Sequence, residues 1–274
     1  PEASGGATLT LDLDEDDAWA WRRVAATQSG VQRDWTLAEA EAEDRLLHRI
    51  GPSYSATFVS GASDAATLGE RHPRLPLEVV PNAIVFPKAA RRADDGRTLL
   101  FVGSFGYQPN IEGVLWFARE VWPLVKTRST APPRLRLVGS NMPAEILGLA
   151  AVEGIEVVGP VDEIAQSYAE ATLAIAPLHS GAGTRLKLIE AAAYGVPIVS
   201  TRLAARGLEF ATGEAVWLAD DADGFATAIS AALGDAAERG RRAGAARQAA
   251  QTVNDWSAAV DRLACRFERF LVTK

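Results

Sequence analysis

The chain has 274 residues, 48% of them hydrophobic and 23% charged, and a formal net charge of −7. That length buries one large core or two ordinary ones, and the negative balance argues against a nucleic-acid polymer as partner, because its phosphates would be repelled. A single cysteine, Cys265, excludes an internal disulfide framework and suits a reducing cytoplasm, and no apolar run approaches the roughly 20 residues that span a bilayer.

The only methionine is Met142, so residue 1 is not a natural start and the chain is expected to begin inside a longer protein. From the N-terminus, TLTLDLDE alternates apolar and polar residues, which predicts a strand to about residue 14. Helices are expected over Asp17–Thr27 and Leu37–Ile50. YSATFVSGASDAATLGE then reads as strand, turn and helix, and LEVVPNAI as a short strand ending at Pro81-Asn82. KAARRADDGR is polar and lacks periodicity, as a connector between domains does. Beyond it strands fit TLLFVGS, RLRLVGS, IEVVGP, LAIAPL, PIVST and AVWLA, with helices expected near residues 111–128, 143–150, 162–169, 184–194, 203–209 and 222–234. ERGRRAGAARQ (238–248) is basic and helical, and a last helix over Trp256–Leu271 carries apolar residues at helical spacing. Strand and helix alternating in this way predict an α/β fold, a parallel sheet covered on both faces. Ligands of such sheets sit beyond the carboxyl ends of the strands, where three segments here end in Val-Gly-Ser, Val-Gly-Ser and Val-Gly-Pro.

HSGAGTRLKLIEAAAYGVPIVST (179–201) concentrates the chemistry. A glycine loop runs into a helix that opens with Arg185 and Lys187 and carries Glu190 one turn on. A helix start offers free N–H groups and a positive dipole end, so it suits an anion, and the two cations add to it. Lys187 is one of only four lysines against twenty-four arginines. Glu190 is placed to accept hydrogen bonds from a sugar hydroxyl pair, so phosphate and ribose of a nucleotide fit side by side. The bland alternative is an exposed Lys187–Glu190 pair worth a few tenths of a kcal/mol, with Gly181 and Gly183 merely shaping a turn. Neither a Walker loop nor a convincing G-x-G-x-x-G is present.

GAGTRLKLIEAAAYGVPIVST resembles the donor-site signature of GT-B glycosyltransferases of family 4, E-G-x-G-x-x-x-x-E-A-x-A-x-G-x-P-V-V. VVPNAI (79–84), LLFVGSFGYQPNIEGVLWFAREVWPLV (99–125), LRLVGS, IEVVGPVDEIAQSYAEATLAIAPL and TRLAARGLEF continue the likeness in order, over most of residues 79–235. Within the family the chain is most similar to bacterial enzymes of exopolysaccharide and cell-surface glycan synthesis, and LDLDEDDAWAWRRVA shares their Asp-rich strand end before an aromatic, arginine-bearing helix. The resemblance implies a GT-B architecture of two Rossmann-like domains: residues 1–86 as part of an acceptor-side domain and 87–274 as the donor domain, with 255–272 a terminal helix returning to the first. About 100 residues of acceptor domain are expected to precede the chain.

By resemblance, Glu190 binds the donor's ribose, Arg185 and Lys187 lie near its diphosphate, and Gly181, Gly183 and Thr184 belong to the loop around its sugar. Gly103 and Ser104 match the first loop of the donor domain, and Gly159 and Val161 the loop that meets the base. Three departures stand out. The first glutamate of the family's pair is Ala182, the usual arginine after the first glycine is Ser104, and the usual lysine soon after falls at Pro109-Asn110.

The expected activity is transfer of a sugar, with retention, from a UDP- or GDP-type nucleotide-diphosphate sugar to a glycan or lipid-linked acceptor, in the cytoplasm or at the inner face of the membrane. No cofactor or metal is expected. Asp-x-Asp in DLDEDD suits a solvated strand end better than a metal site, and His48, His72 and His179 lack ligand spacing. His179 is a candidate either for donor contact or for packing. The basic helix is a solvated face or a peripheral membrane contact. A nucleotide-sugar epimerase, a catalytically inactive binder and a scaffold remain the alternatives.

Overall fold

The computed structural model describes residues 8–88, 95–181 and 184–272, with side chains through Glu268. Two compact units are present: Pro1–Ala83, Ser180–Thr184 and Val253–Lys274 form the first, and Ile84–His179 with Arg185–Thr252 the second. Most of the connector segment 88–97 lies outside the described residues.

In the first unit the order is β1 (Thr10–Asp14), α1 (Asp17–Ala25), α2 (Gly30–Ile50), β2 (Ala56–Val59), α3 (Ala62–Arg71) and β3 (Leu77–Val79). The strands form a parallel sheet in the order β1-β2-β3. Central β2 is buried throughout, as a strand covered on both faces must be. α2 begins at Gly30 and not at Leu37. Its first two turns, VQRDW, hide their period behind polar residues, while Thr36 turns inward and its hydroxyl donates to Gln28 Oε1 (2.7 Å) and the Gln32 carbonyl (2.9 Å).

The acidic strand end is not simply solvated. Asp16 is fully buried and caps α1, its Oδ1 accepting from the Trp19 N–H (3.0 Å) and Arg71 Nη2 (2.6 Å) and its Oδ2 from Thr67 Oγ1 (2.7 Å). Asp44 on α2 accepts from Arg71 Nε (3.2 Å), His72 Nε2 (2.9 Å) and Arg22. One arginine thus bridges two carboxylates and ties α1, α2 and α3 together. Among the described residues no group of three His, Cys, Asp or Glu side chains could hold a metal.

The second unit runs β4 (Thr98–Val102), α4 (Gln108–Trp116), α5 (Trp122–Arg128), β5 (Arg134–Val138), α6 (Ala144–Leu147), β6 (Ile155–Gly159), α7 (Ile164–Glu170), β7 (Leu173–Ala176), α8 (Leu186–Ala193), β8 (Ile198–Ser200), β9 (Trp217–Leu218), α9 (Ala222–Gly234) and α10 (Ala236–Asn254). All pairings are parallel, in the order β6-β5-β4-β7-β8-β9. The core packs Phe101, Phe117, Trp122 and Phe225 with the leucines of β4 and β5, and Trp122 Nε1 donates to the Glu153 carbonyl (3.1 Å). The last helix, α11 (Trp256–Val272), counts with the first unit.

One expected helix differs from what is observed, and another carries an irregularity. The helix expected over 111–128 runs without interruption over 108–128 as α4, a π turn over Phe117–Val121, and α5. The π turn lies just ahead of Pro123, which has no N–H to donate backwards. Residues 203–209 form successive turns, not a helix. Thr201 Oγ1 accepts from the Ala204 N–H (3.1 Å), and Gly207 adopts φ +81°, which stops helical propagation.

The arginines of α10 are held within the molecule. Arg239 Nη1 donates to the carbonyls of Ala232 (2.8 Å) and Leu233 (2.9 Å), and Arg242 Nη1 to that of Gly213 (2.7 Å). Arg242 also lies 4.3 Å from the Trp217 ring centre, and both Arg241 and Arg242 pair with Glu238. The basic run therefore serves to tie α9 and the β8–β9 connection to α10. Among the described residues no helix is long and apolar enough to cross a membrane.

Candidate functional site

The strand order of the second unit reverses between β4 and β7; in open parallel sheets the loops beyond such a switch point diverge and leave a crevice for ligands. The loop after β4 holds Gly103 and Ser104; the chain leaving β7 leads to Arg185 and α8.

Close backbone approach shapes the crevice floor. The Gly103 N–H donates to the Val138 carbonyl (3.0 Å) and the Phe105 N–H to that of Ser140 (2.8 Å). A Cβ on Gly139 would stand 1.8 Å from the Gly103 carbonyl oxygen, and one on Gly103 would stand 2.8 Å from Asn110 Nδ2 and 3.0 Å from Lys187 Nζ. Glycine is required at Gly139, where the clash is with backbone; at Gly103 an added Cβ would displace the Asn110 and Lys187 side chains.

Arg185 is buried at the N-cap position of α8, with extended backbone, and no side chain caps the helix. The first-turn N–H groups of Leu186 and Lys187 accordingly have no acceptor within the helix. At the other end Gly195 adopts φ +68° and its N–H and that of Val196 bond back to the carbonyls of Ala192 (3.0 Å) and Ala191 (2.8 Å), closing the helix as Gly-Val-Pro predicts.

Lys187 and Glu190 do not form an exposed pair. Lys187 Nζ donates to Asn110 Oδ1 (2.6 Å) and lies 4.0 Å from the centre of the Phe101 ring. Asn110, itself buried, donates through Nδ2 to the Ser104 carbonyl (2.7 Å). Burial pushes the Lys187 ammonium down to about 7, the Arg185 charge pushes the same way, and the Glu190 carboxylate opposes both. Glu190 Oε2 accepts from the Tyr168 hydroxyl (2.8 Å). Burial raises the Glu190 carboxyl, with Tyr168 and Lys187 opposing. Both groups of α8 are thus shifted toward neutrality, the state of charges waiting for a partner.

The remaining expected residues divide. Ser104 is exposed, and its hydroxyl accepts from the Gly106 N–H (3.3 Å). Gly159 (φ +86°) ends β6, two strands from β4, and the exposed Val161 follows it. Gly181 (φ +93°) and Thr184 count with the first unit, where Thr184 Oγ1 lies 3.1 Å from Ser60 Oγ. Gly183 and the departure at Ala182 lie outside the described residues. His179 sets its ring edge-on to Trp116, centroids 4.4 Å apart; partial burial lowers its pKa and Asp220 pulls it up. The structure adds Phe101, Tyr168 and Tyr194, which the sequence does not mark as site residues, and gives Asn110, known from the sequence only as a departure from the family's lysine, a partner in Lys187. Asn110 and Tyr168 stand 77 and 22 residues from their partners, and only the order of strands brings them there.

Known proteins agree with this architecture. The chain is 29% identical over 180 residues to an exopolysaccharide phosphotransferase of Streptomyces coelicolor, covering 62% of this chain and 18% of that protein. It superposes on TarM of S. aureus, solved with fondaparinux, α-GlcNAc-glycerol and UDP, with TM-score 0.70 at 11% identity, covering 82% of this chain and 46% of that one. On sucrose-phosphate synthase of Thermosynechococcus elongatus the TM-score is 0.71 at 21% identity, covering 92% and 67%. The chain therefore spans less than half the length of the first two. These likenesses give the GT-B fold. Residues 96–235, just over half of the chain and including every element of the crevice, match the family described as Glycosyl transferases group 1, and the chain belongs to that family.

Proposed function

We propose that this chain binds a nucleotide-diphosphate sugar in the β4–β7 crevice and serves sugar transfer, with retention, to a glycan or lipid-linked acceptor. The observation that carries the reading is the pair on α8: Lys187 and Glu190, one turn apart at a strand-order reversal, each hydrogen-bonded by a neutral side chain. A diphosphate at the start of α8 meets two free N–H groups, Lys187 and Arg185, while the neighbouring ribose reaches Glu190. As the bond from the sugar to the diphosphate breaks, negative charge grows on the leaving oxygen. The same cations and helix end stabilise that charge more than they stabilise the ground state, which is what accelerates transfer.

In this reading residues 87–274 are the donor side, with a hexose the sugar carried, and residues 1–86 belong to the acceptor side, in the cytoplasm or at the inner face of its membrane. A second reading, a binder that does not turn over or an enzyme such as an epimerase that needs no acceptor, draws on Ser104 and Asn110, which bring no charge where the family places two cations. Calorimetry with UDP, GDP and ADP tests the binding step. UDP, the nucleotide found with TarM, is expected to bind best. Failure of all three would remove the nucleotide reading, and binding without transfer to any acceptor by the full-length protein would favour the second.

A further inference from the structure

Glu190 is a flexible side chain, and ordering it around a ligand costs rotamer entropy unless something already holds it. Tyr168 does. Its ring is buried and stacks on Tyr194, centroids 5.0 Å apart and planes 8° from parallel, and its oxygen lies 2.8 Å from Glu190 Oε2 and 3.3 Å from the Lys187 carbonyl oxygen. Ring and hydroxyl are both fixed, so the carboxylate is fixed with them.

The hold is one-sided. Tyr168 occupies Oε2, and among the described residues Oε1 takes no hydrogen bond. A carboxylate offers about four acceptor sites over its two oxygens, so Oε1 keeps its full capacity for donors arriving from the crevice. The choice of a phenol matters too. An arginine at this place would pair with the carboxylate and cancel its charge, as Arg71 does for Asp16. A tyrosine orients the group and leaves the charge in place. Burial raises the Tyr168 hydroxyl well above its ordinary range, with the Glu190 charge adding to the effect, so it stays a donor across neutral pH.

We infer that Tyr168 is a positioning residue that fixes Glu190 with Oε1 facing the crevice and thereby sets the preference for a ribose over a deoxyribose nucleotide. The inference rests on the nucleotide reading above and deepens it: the hydroxyl-bearing sugar is recognised by a preformed acceptor.

The test is calorimetry with UDP, 2′-deoxy-UDP and 3′-deoxy-UDP on the unmodified chain, Tyr168→Phe, Glu190→Ala and Glu190→Asp. The unmodified chain is expected to prefer UDP over at least one deoxy form by about tenfold or more, the scale of a hydrogen bond to a charged group. Tyr168→Phe keeps the ring and its stacking on Tyr194, so affinity for that deoxy form should stay within about twofold while the preference for UDP collapses to about twofold. A role in packing alone would weaken all three ligands together and leave the ratio unchanged. Glu190→Asp keeps the charge but draws it a methylene away from Tyr168, and the preference should collapse there as well; a preference retained in that variant overturns the inference even if Tyr168→Phe does not fold. If Glu190→Ala abolishes the preference and Tyr168→Phe keeps it, the positioning role falls while the ribose contact stands. If the unmodified chain binds all three equally, the ribose contact itself is wrong and the inference falls with it.

Discussion

Two clusters of buried charge in this chain are built on opposite rules. In the first unit, Asp16 and Asp44 are paired with Arg71, Arg22 and His72. Burial pushes the Asp44 carboxyl up, but hydrogen bonds from Arg22 and His72 and the charge of Arg71 outweigh it, and its pKa falls below the ordinary value. In the second unit, Lys187 rests on an amide and an aromatic ring, and Glu190 on a phenol. There burial wins, lowering the lysine and raising the glutamate. Charges compensated by charges hold helices together; charges held by neutral groups are left to attract something else.

The largest expected effect lies in the compensated cluster. Asp16→Ala removes a fully buried carboxylate and leaves Arg71, Thr67 and the Trp19 N–H without it, which should destabilise the fold by about 3–5 kcal/mol. Urea denaturation reads this, and UDP affinity of the folded protein should be unchanged. A loss below about 1 kcal/mol would show that the network contributes little to stability and that the contrast is one of appearance.

Lys187→Ala and Arg185→Ala should behave the other way round. Each is expected to weaken UDP binding by about 1–3 kcal/mol, the scale of charge-assisted hydrogen bonds, while stability barely changes. Intact affinity in both variants would remove the phosphate clamp.

How much of this was legible in the sequence follows the same division. Lys187, Glu190 and the closing glycine lie within nine residues, so helical spacing and Gly-Val-Pro reveal them together. β4, β5, β6 and β7 of the second unit read clearly because each is a short strand-forming run that reaches a glycine or proline at its end. Asn110 shows in the sequence only as a departure from the family's lysine, and Tyr168, a tyrosine in a short helix, is ordinary until the order β4-β7-β8 places both against α8. The start of α2 was hidden because its large apolar residues, Val31 and Trp35, lie exposed, and within α2 only Thr36 and Ala40 are buried. TRLAARGLEF has a helical composition, and the left-handed Gly207 overrides it.

A smaller effect comes from pH. With its pKa near 7, Lys187 is about half charged in the free protein at neutral pH, and a bound diphosphate holds it charged. Binding above neutrality therefore takes up a proton, and affinity should fall about fivefold from pH 7 to pH 8, flattening below pH 6 as far as this lysine is concerned. The sign follows because the proton stabilises the bound form more than the free one. Calorimetry in buffers of different ionisation enthalpy measures the uptake directly. Lys187→Arg, charged at every accessible pH, should abolish both the slope and the uptake; a slope that survives that replacement belongs to another group.

The smallest expected effect comes from Asn110→Asp, which carries the rule of the first cluster into the second. The new carboxylate would sit beside Lys187 Nζ, where the amide oxygen now lies at 2.6 Å. It cannot replace the donor that Asn110 Nδ2 supplies to the Ser104 carbonyl, and that loss costs about 0.5–1.5 kcal/mol. The new ion pair offsets much of the cost, so net stability should move by less than about 1 kcal/mol. Binding is where the exchange becomes visible. An opposite charge at hydrogen-bonding distance returns the lysine toward its ordinary range, so the dependence between pH 7 and 8 should disappear, as in Lys187→Arg. Here, however, the diphosphate meets a cation already neutralised and a carboxylate that repels it, so UDP affinity at pH 7 should fall by about 1 kcal/mol and should recover with added salt less than a surface effect would. Unchanged affinity together with a lost pH dependence would mean that Lys187 titrates beside the phosphate without gripping it, and would leave Arg185 and the start of α8 as the clamp.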